Sequence, residues 1–358
     1  MQYDELHRRL ALTPAAVDRL LAVALAATAV GALASATIAG VVAARRVVRA
    51  AALLTAGILV ATASIAAAGS PIALRVLLVG GALAVAPVLS LARAVHLDQV
   101  LGSVDAEGTR VDPLRSLASS WVATASGASV AGAATAGGDL RTWQVTFVVA
   151  AALLIAAVVV VPRRAEAAAT PPEPGPLVQR SSLALTAFGL GIALVGPAGI
   201  ALGLLNERGA TPRAIRWSVL ASGAAICLVV FAFLRPATRR VLGGPTLARA
   251  AQGLAIIAAV AAAAGAAAST SGMTLMFWSL SIIAAAGFAC ASEAALLPER
   301  AGIDRHGTAG LLVAVVGSGG AITMASMHGL AGVSAPWLVA GAALPLVVAA
   351  VGGLVTAG

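Results

Sequence analysis

Long apolar runs alternate with short polar breaks along almost the whole chain. Ala34–Thr62 sets the pattern: two apolar stretches flank a basic centre of Arg45, Arg46 and Arg49. About 20 mostly apolar residues are enough to cross a bilayer as a helix. By that measure the pattern predicts eleven spans, at about 14–43, 48–68, 72–96, 117–136, 143–161, 182–205, 214–234, 247–268, 273–297, 308–328 and 335–356. Pro14 suits the first turn of the first span, and Pro87, Pro197 and Pro345 lie inside spans, where proline removes a backbone donor and bends a helix.

The connections are short and polar, with two exceptions. Leu97–Pro113 mixes acids with Arg110 and is expected to be a solvated loop. The stretch 162–181 is rich in proline and breaks the apolar pattern for longer than any other. It divides the chain into a bundle of five spans (1–161), a linker (162–181) and a bundle of six spans (182–358).

Composition agrees. Of 358 residues, 60% are hydrophobic and 10% charged, whereas soluble domains carry about 25% charged residues. The expected class is an all-α, multi-pass membrane protein. A formal charge of +9 could indicate nucleic acid, but the arginines are scattered in twos and threes over the loops and do not form one patch with aromatic residues between them, so no nucleic-acid partner is expected. Arg explains itself better as a topological signal. Alternate connections, starting with the Arg45 turn, hold fifteen arginines against four on the opposite side, once Arg75 and the N-terminal arginines are set aside. Since Arg flanking spans marks the cytoplasmic face, the linker is expected in the cytoplasm and the protein in the plasma membrane. An odd number of spans then puts the N-terminus outside, as though one helix were absent at the front.

Several residues resemble motifs of the major facilitator superfamily. Gly40, Arg45 and Arg49 match the loop between that family's second and third helices, with Ala44, Val47 and Val48 departing from it. Arg75–Ala84 (RVLLVGGALA) resembles the fourth-helix motif, and Ala125–Gly138, with Gly132, Gly137 and Gly138, resembles the glycine-rich fifth helix of exporters. Trp143 and Phe147 resemble a following aromatic motif. The resemblance implies two helical bundles rocking about a central cavity, a drug-exporter-like branch lacking the first helix, a small-molecule substrate, coupling to protons, and a monomer. It also implies that Gly40, Arg45 and Arg49 form a cytoplasmic gating loop.

Ionisable groups inside a span cost about 2.5–3.5 kcal/mol on insertion scales, so each that remains needs a reason. Arg75, about one turn into the third span, is a cavity candidate. Glu293, the acid farthest inside a span, is a candidate proton-coupling carboxylate. The two lie about 20 Å apart in depth at 1.5 Å per residue, so a direct pair between them is not expected. Gln252 is a further cavity candidate. The glycines Gly132, Gly137 and Gly138 are expected to bring helices close together. Cys227 and Cys290 are isolated in apolar runs, and no catalytic constellation, phosphate loop or metal spacing is present. The chain is therefore not expected to be an enzyme or to hold a cofactor. The expected function is proton-coupled export of small amphipathic molecules. The alternative is a transport-incompetent relative serving as a membrane scaffold or partner subunit.

Overall fold

The computed structural model describes residues 11–68, 70–101, 113–136, 140–160, 177–233, 244–297, 302–326 and 333–356. The regular structure among them is helical, without strands. The helices are α1 (Pro14–Ile38), α2 (Ala44–Ala68), α3 (Pro71–Leu101), α4 (Pro113–Thr135), α5 (Leu140–Val160), α6 (Leu177–Leu190), α7 (Ala198–Glu207), α8 (Pro212–Phe233), α9 (Gly244–Ala267), α10 (Ser271–Leu296), α11 (Gly302–Ser326) and α12 (Ala335–Thr356). Among the described residues, nine helices are long and apolar enough to cross a membrane. The chain is an all-α, multi-pass membrane protein.

Several boundaries differ from the apolar pattern. α1 stops at Ile38 because Ala39–Val42 close into turns, with the Val42 amide donating to the Ile38 carbonyl at 2.7 Å. α3 continues to Leu101, through residues whose polarity predicts a loop; Leu97 there is fully buried and Asp98 finds charged partners. α11 begins at Gly302 for the same reason, since Arg305 and His306 are buried in that pairing. The sixth span is broken. α6 widens into a π-helical turn at Gly191–Val195, and Pro197, which lacks an N–H, precedes α7. Leu177–Ser181, placed in the linker by composition, already belong to α6, while 161–176 lie outside the described residues.

The packing has an internal symmetry. In the first five helices α1 packs on α3, α2 on α3, and α2 on α5; α8 packs on α10, α9 on α10, and α9 on α12. Matching α1–α5 to α8–α12 in order makes these contacts equivalent. The two chief contacts between the halves, α1 with α11 and α4 with α8, then exchange under the same matching. Such an exchange is what a pseudo-twofold axis requires.

Small residues make the seam between the halves. A Cβ on Gly310 would lie 2.7 Å from the Ala36 Cβ, and one on Gly317 would lie 3.1 Å from the Leu25 carbonyl, so α11 lies almost backbone to backbone on α1. Its other side meets the π turn, where a Cβ on Gly320 would be 2.7 Å from the Val195 Cγ1. On α4, a Cβ on Gly132 would lie 3.2 Å from the Val219 Cγ1 of α8. The largest buried cluster crosses the seam, joining Leu97, Leu117 and Trp121 to Phe288, Leu296 and Leu297.

Candidate functional site

That cluster carries a ladder of charges at the end of the seam nearest the linker. Arg93 lies eight residues before the end of α3, and Glu293 lies three before the end of α10. The Arg93 Nη1 donates to the Glu293 Oε1 at 2.9 Å, and their side chains are only 16% and 15% exposed. The Trp121 Nε1 of α4 donates to the other carboxylate oxygen at 2.9 Å. The Arg93 guanidinium also lies over the Trp121 ring, 4.3 Å from its centroid. Both carboxylate oxygens are thus engaged, and the cation is held between a ring face and a counter-ion. The set is neutral, as a group of charges at membrane depth must be if it is to stay there.

One turn along α3, Asp98 makes the second rung. It accepts from the Arg305 Nη1, and its other oxygen meets the His306 Nε2 at 2.8 Å. An ionised carboxylate only accepts, so that ring nitrogen carries a hydrogen. The Arg305 Nε also donates to the Leu297 carbonyl at the end of α10, 2.7 Å away. Leu297 is four residues beyond Glu293, so both rungs use one side of α10. Within the first half, the His96 Nε2 and the Ser116 Oγ are 2.5 Å apart, tying α3 to α4.

Arg45, at the start of α2, is buried; with the Gln99 amide oxygen turned toward it, Gln99 accepts from its Nη2 at 2.8 Å and its Nε at 3.2 Å. Arg45, expected in a loop, thus belongs to the first turn of α2 and reaches the last turn of α3, next to the second rung. Gly40 is exposed in the turn before α2, its amide donating to the Thr37 carbonyl at 3.1 Å, and Arg49 is half-buried in α2.

The remaining candidates lie elsewhere. Arg75 sits near the start of α3, at the opposite end from the ladder, and donates to the Ala11 carbonyl at 3.2 Å. Gln252 is buried inside the second half, accepting from the Thr186 hydroxyl at 2.7 Å and donating to the Ser182 hydroxyl at 3.0 Å. Gly137 and Gly138 lie outside the described residues. Glu293 is thus the one candidate acid brought to the seam, and its partner is Arg93, not Arg75. Arg93, Trp121, Asp98, Arg305 and His306 were not singled out by the sequence pattern. Their signal was present as opposite charges at the same end of facing spans.

Chemically, the ladder is a set of breakable links between the two halves. A proton on Glu293 would leave Arg93 without its counter-ion, and separation of α3 from α10 and α11 would break every rung. Among the described residues, no three His, Cys, Asp or Glu side chains converge as a metal site.

No protein-family model matches the chain, and no curated protein does. Solved structures match over nearly its whole length. The human organic anion transporter MFSD10 (TETRAN) superposes with a TM-score of 0.67 at 15% identity, covering 99% of this chain and 87% of that one. The major facilitator superfamily proton:xylose symporter XylE gives 0.66 at 13% identity, over 99% and 89%. A bacterial homologue of the iron transporter ferroportin, in an outward-facing state, gives 0.64 at 16% identity, over 96% and 90%. The chain has the major facilitator fold.

Proposed function

We propose that this protein is a membrane transporter of the major facilitator type that exports small amphipathic molecules in exchange for protons by alternating access. The observation that carries this reading is the charge ladder, which joins two similarly packed halves at the linker end of their seam, while at the other end the Arg216 Nε donates to the Ala136 carbonyl at 2.7 Å. Arginine bias places that end in the cytoplasm. On this reading the ladder is the gate of a state closed toward the cytoplasm, and Glu293 is the group whose protonation loosens it. The two halves, residues 1–161 and 182–358 on either side of the linker 162–181, would rock about the α1–α11 and α4–α8 contacts, where glycines and alanines leave little side-chain bulk to interlock.

Export of amphipathic molecules, as opposed to sugar uptake, is favoured by the spans themselves. Aromatic residues are only 3% of the chain, which supports an apolar cavity over one rich in stacking rings. Arg45 at the start of α2, bonded to Gln99 beside the gate, would hold the closed state. The protein is taken as a plasma-membrane monomer.

The test is transport by the purified chain in vesicles carrying a proton gradient, with a fluorescent amphipathic amine as probe. Wild type should move the probe when the gradient is imposed, Glu293→Gln should not, and Gln252→Leu should retain the activity. Gradient-independent movement, or an active Glu293→Gln, removes the coupling role. A folded chain that moves no probe and no other amphipath removes the exporter reading and favours a scaffold.

A further inference from the structure

Away from the seam, α6 and α12 diverge to leave a cleft of about 930 Å³. Its walls are one stripe of each side, at helical spacing: Leu185 and Phe188 on α6 with Ile192 of the π turn, facing Leu344, Val348 and Ala349 on α12. The floor is the point where the helices touch, since a Cβ on Gly189 would lie 2.8 Å from the Leu346 Cα. The rim is apolar and open. Leu185 is 58%, Leu344 62% and Val348 64% exposed; Leu344 and Val348 lie in a helix long and apolar enough to cross a membrane, and Leu185 in a shorter apolar helix.

Polar groups line only one end. Ser181 and Ser182 lie there with Gly352 and Gly353, and the Ser182 hydroxyl is held by Gln252. This is the linker end, where α6 begins. From Ser181 to Ile192 is eleven residues, about 16 Å at 1.5 Å per residue, close to half of the roughly 30 Å hydrocarbon core. The cleft therefore has hydroxyls at one end, an apolar lining beyond them, and a length that matches the depth of one leaflet.

We propose that this cleft is a binding site for one acyl chain of a phospholipid from the linker-side leaflet, with its ester and phosphate oxygens beside Ser181 and Ser182. The match of cleft length to leaflet depth and the placement of its only hydroxyls select this occupant. A transmembrane partner helix would run past the midplane, and a soluble ligand would not meet a rim of exposed leucine and valine. The site also bears on the moving part of α6. Ile192 belongs both to the cleft wall and to the π turn at Gly191–Val195, so a seated chain packs against the least regular segment of the sixth span. This inference is independent of the transport reading.

The test uses the full chain in vesicles of phosphatidylcholine and phosphatidylglycerol, doped with phosphatidylglycerol bearing a diazirine on one acyl chain. After illumination, adducts should concentrate on peptides 181–192 and 344–353. Val348→Trp, which fills the cleft from its rim, should lower that labelling about tenfold. Leu153→Trp, at an exposed position of α5, should leave it unchanged. If Val348→Trp does not yield a monodisperse protein, Leu344→Trp on the same rim takes its place. Labelling as dense on α5 and α8 as on the cleft, insensitivity to the rim variants, or cross-linking of two copies through α6 and α12 would overturn the proposal.

Discussion

Arg93 and Glu293 stand 200 residues apart in the chain and 2.9 Å apart in space, the one on α3 and the other on α10. Neither charge would stay at that depth alone, so the pair reports where the two halves must come together. Its oxygens are shared with Trp121, which makes the cluster a three-helix junction.

The first prediction concerns that junction. Removing one partner leaves the other poorly solvated, so Glu293→Gln and Arg93→Ala should each lower unfolding free energy by roughly 2 kcal/mol, less than for a fully sealed pair. The double variant should cost clearly less than the sum, because the second change removes a charge already orphaned. Denaturant unfolding in detergent of all four proteins gives the coupling. Additive costs would mean that the two side chains do not act as a pair.

Asp98 is the hub of the second rung, holding Arg305 and His306 together, whereas His306 is one of its two partners. Asp98→Asn should therefore open the linker-side end further than His306→Gln. A cysteine introduced at Ala94, which is fully buried, reads this out by its rate of labelling with a water-soluble maleimide. Labelling should rise most in Asp98→Asn, rise less in His306→Gln, and stay slow in the parent. Equal rates in the two variants would show that His306 carries the closure as much as Asp98.

These two clusters mark the boundary of what the sequence made legible. Hydrophobic run length located the nine helices that, among the described residues, are long and apolar enough to cross a membrane, because a span must be apolar whatever surrounds it. It misjudged the ends of α3 and α11 because polarity there reflects partners and not solvent. Asp98 looks like a loop acid until Arg305, 207 residues away, is seen against it. Arg93 was counted only as a flanking charge. The break in the sixth span was visible in Pro197 alone. The π turn before it follows from glycines on two helices meeting, which run length does not encode. Glu293 was recognisable because an acid inside a span is costly by itself, but the identity of its partner depends on helix order and rotation.

Glycine provides a prediction with an internal control. Gly191 sits where the π turn presses on α11, and an added Cβ would run into the Val316 carbonyl, a backbone atom that cannot swing aside. Gly203 in α7 has open space at the same construction. Gly191→Ala should lower the thermal midpoint, as overpacking by one methyl in a tight site costs about 1–3 kcal/mol. Gly203→Ala should leave it unchanged or raise it slightly, by the helix-propensity gain of about 0.5–1 kcal/mol. Equal midpoints would mean that the π turn can slide away from α11.

Arg208 closes the opposite end of the sixth span. It follows α7 and donates to the Gly265 carbonyl at 2.9 Å, the Ala266 carbonyl at 2.6 Å and the Thr274 hydroxyl at 2.6 Å. Two of these acceptors are carbonyls of the last turn of α9, which lack partners within their own helix and form its negative end. A guanidinium suits them because it offers several donors in a fixed plane, whereas an ammonium is a single point of charge. Arg208→Lys should therefore recover only part of what Arg208→Ala loses, a loss of about 2 kcal/mol for charged hydrogen bonds left unmade. Because α7 is joined to α6 only through the π turn and Pro197, that loss should appear locally. Amide exchange in 198–207 should speed up in Arg208→Ala while α1–α5 keep their protection. Uniform loss of protection across both halves would show that Arg208 supports the whole fold, in place of clasping one hinged segment.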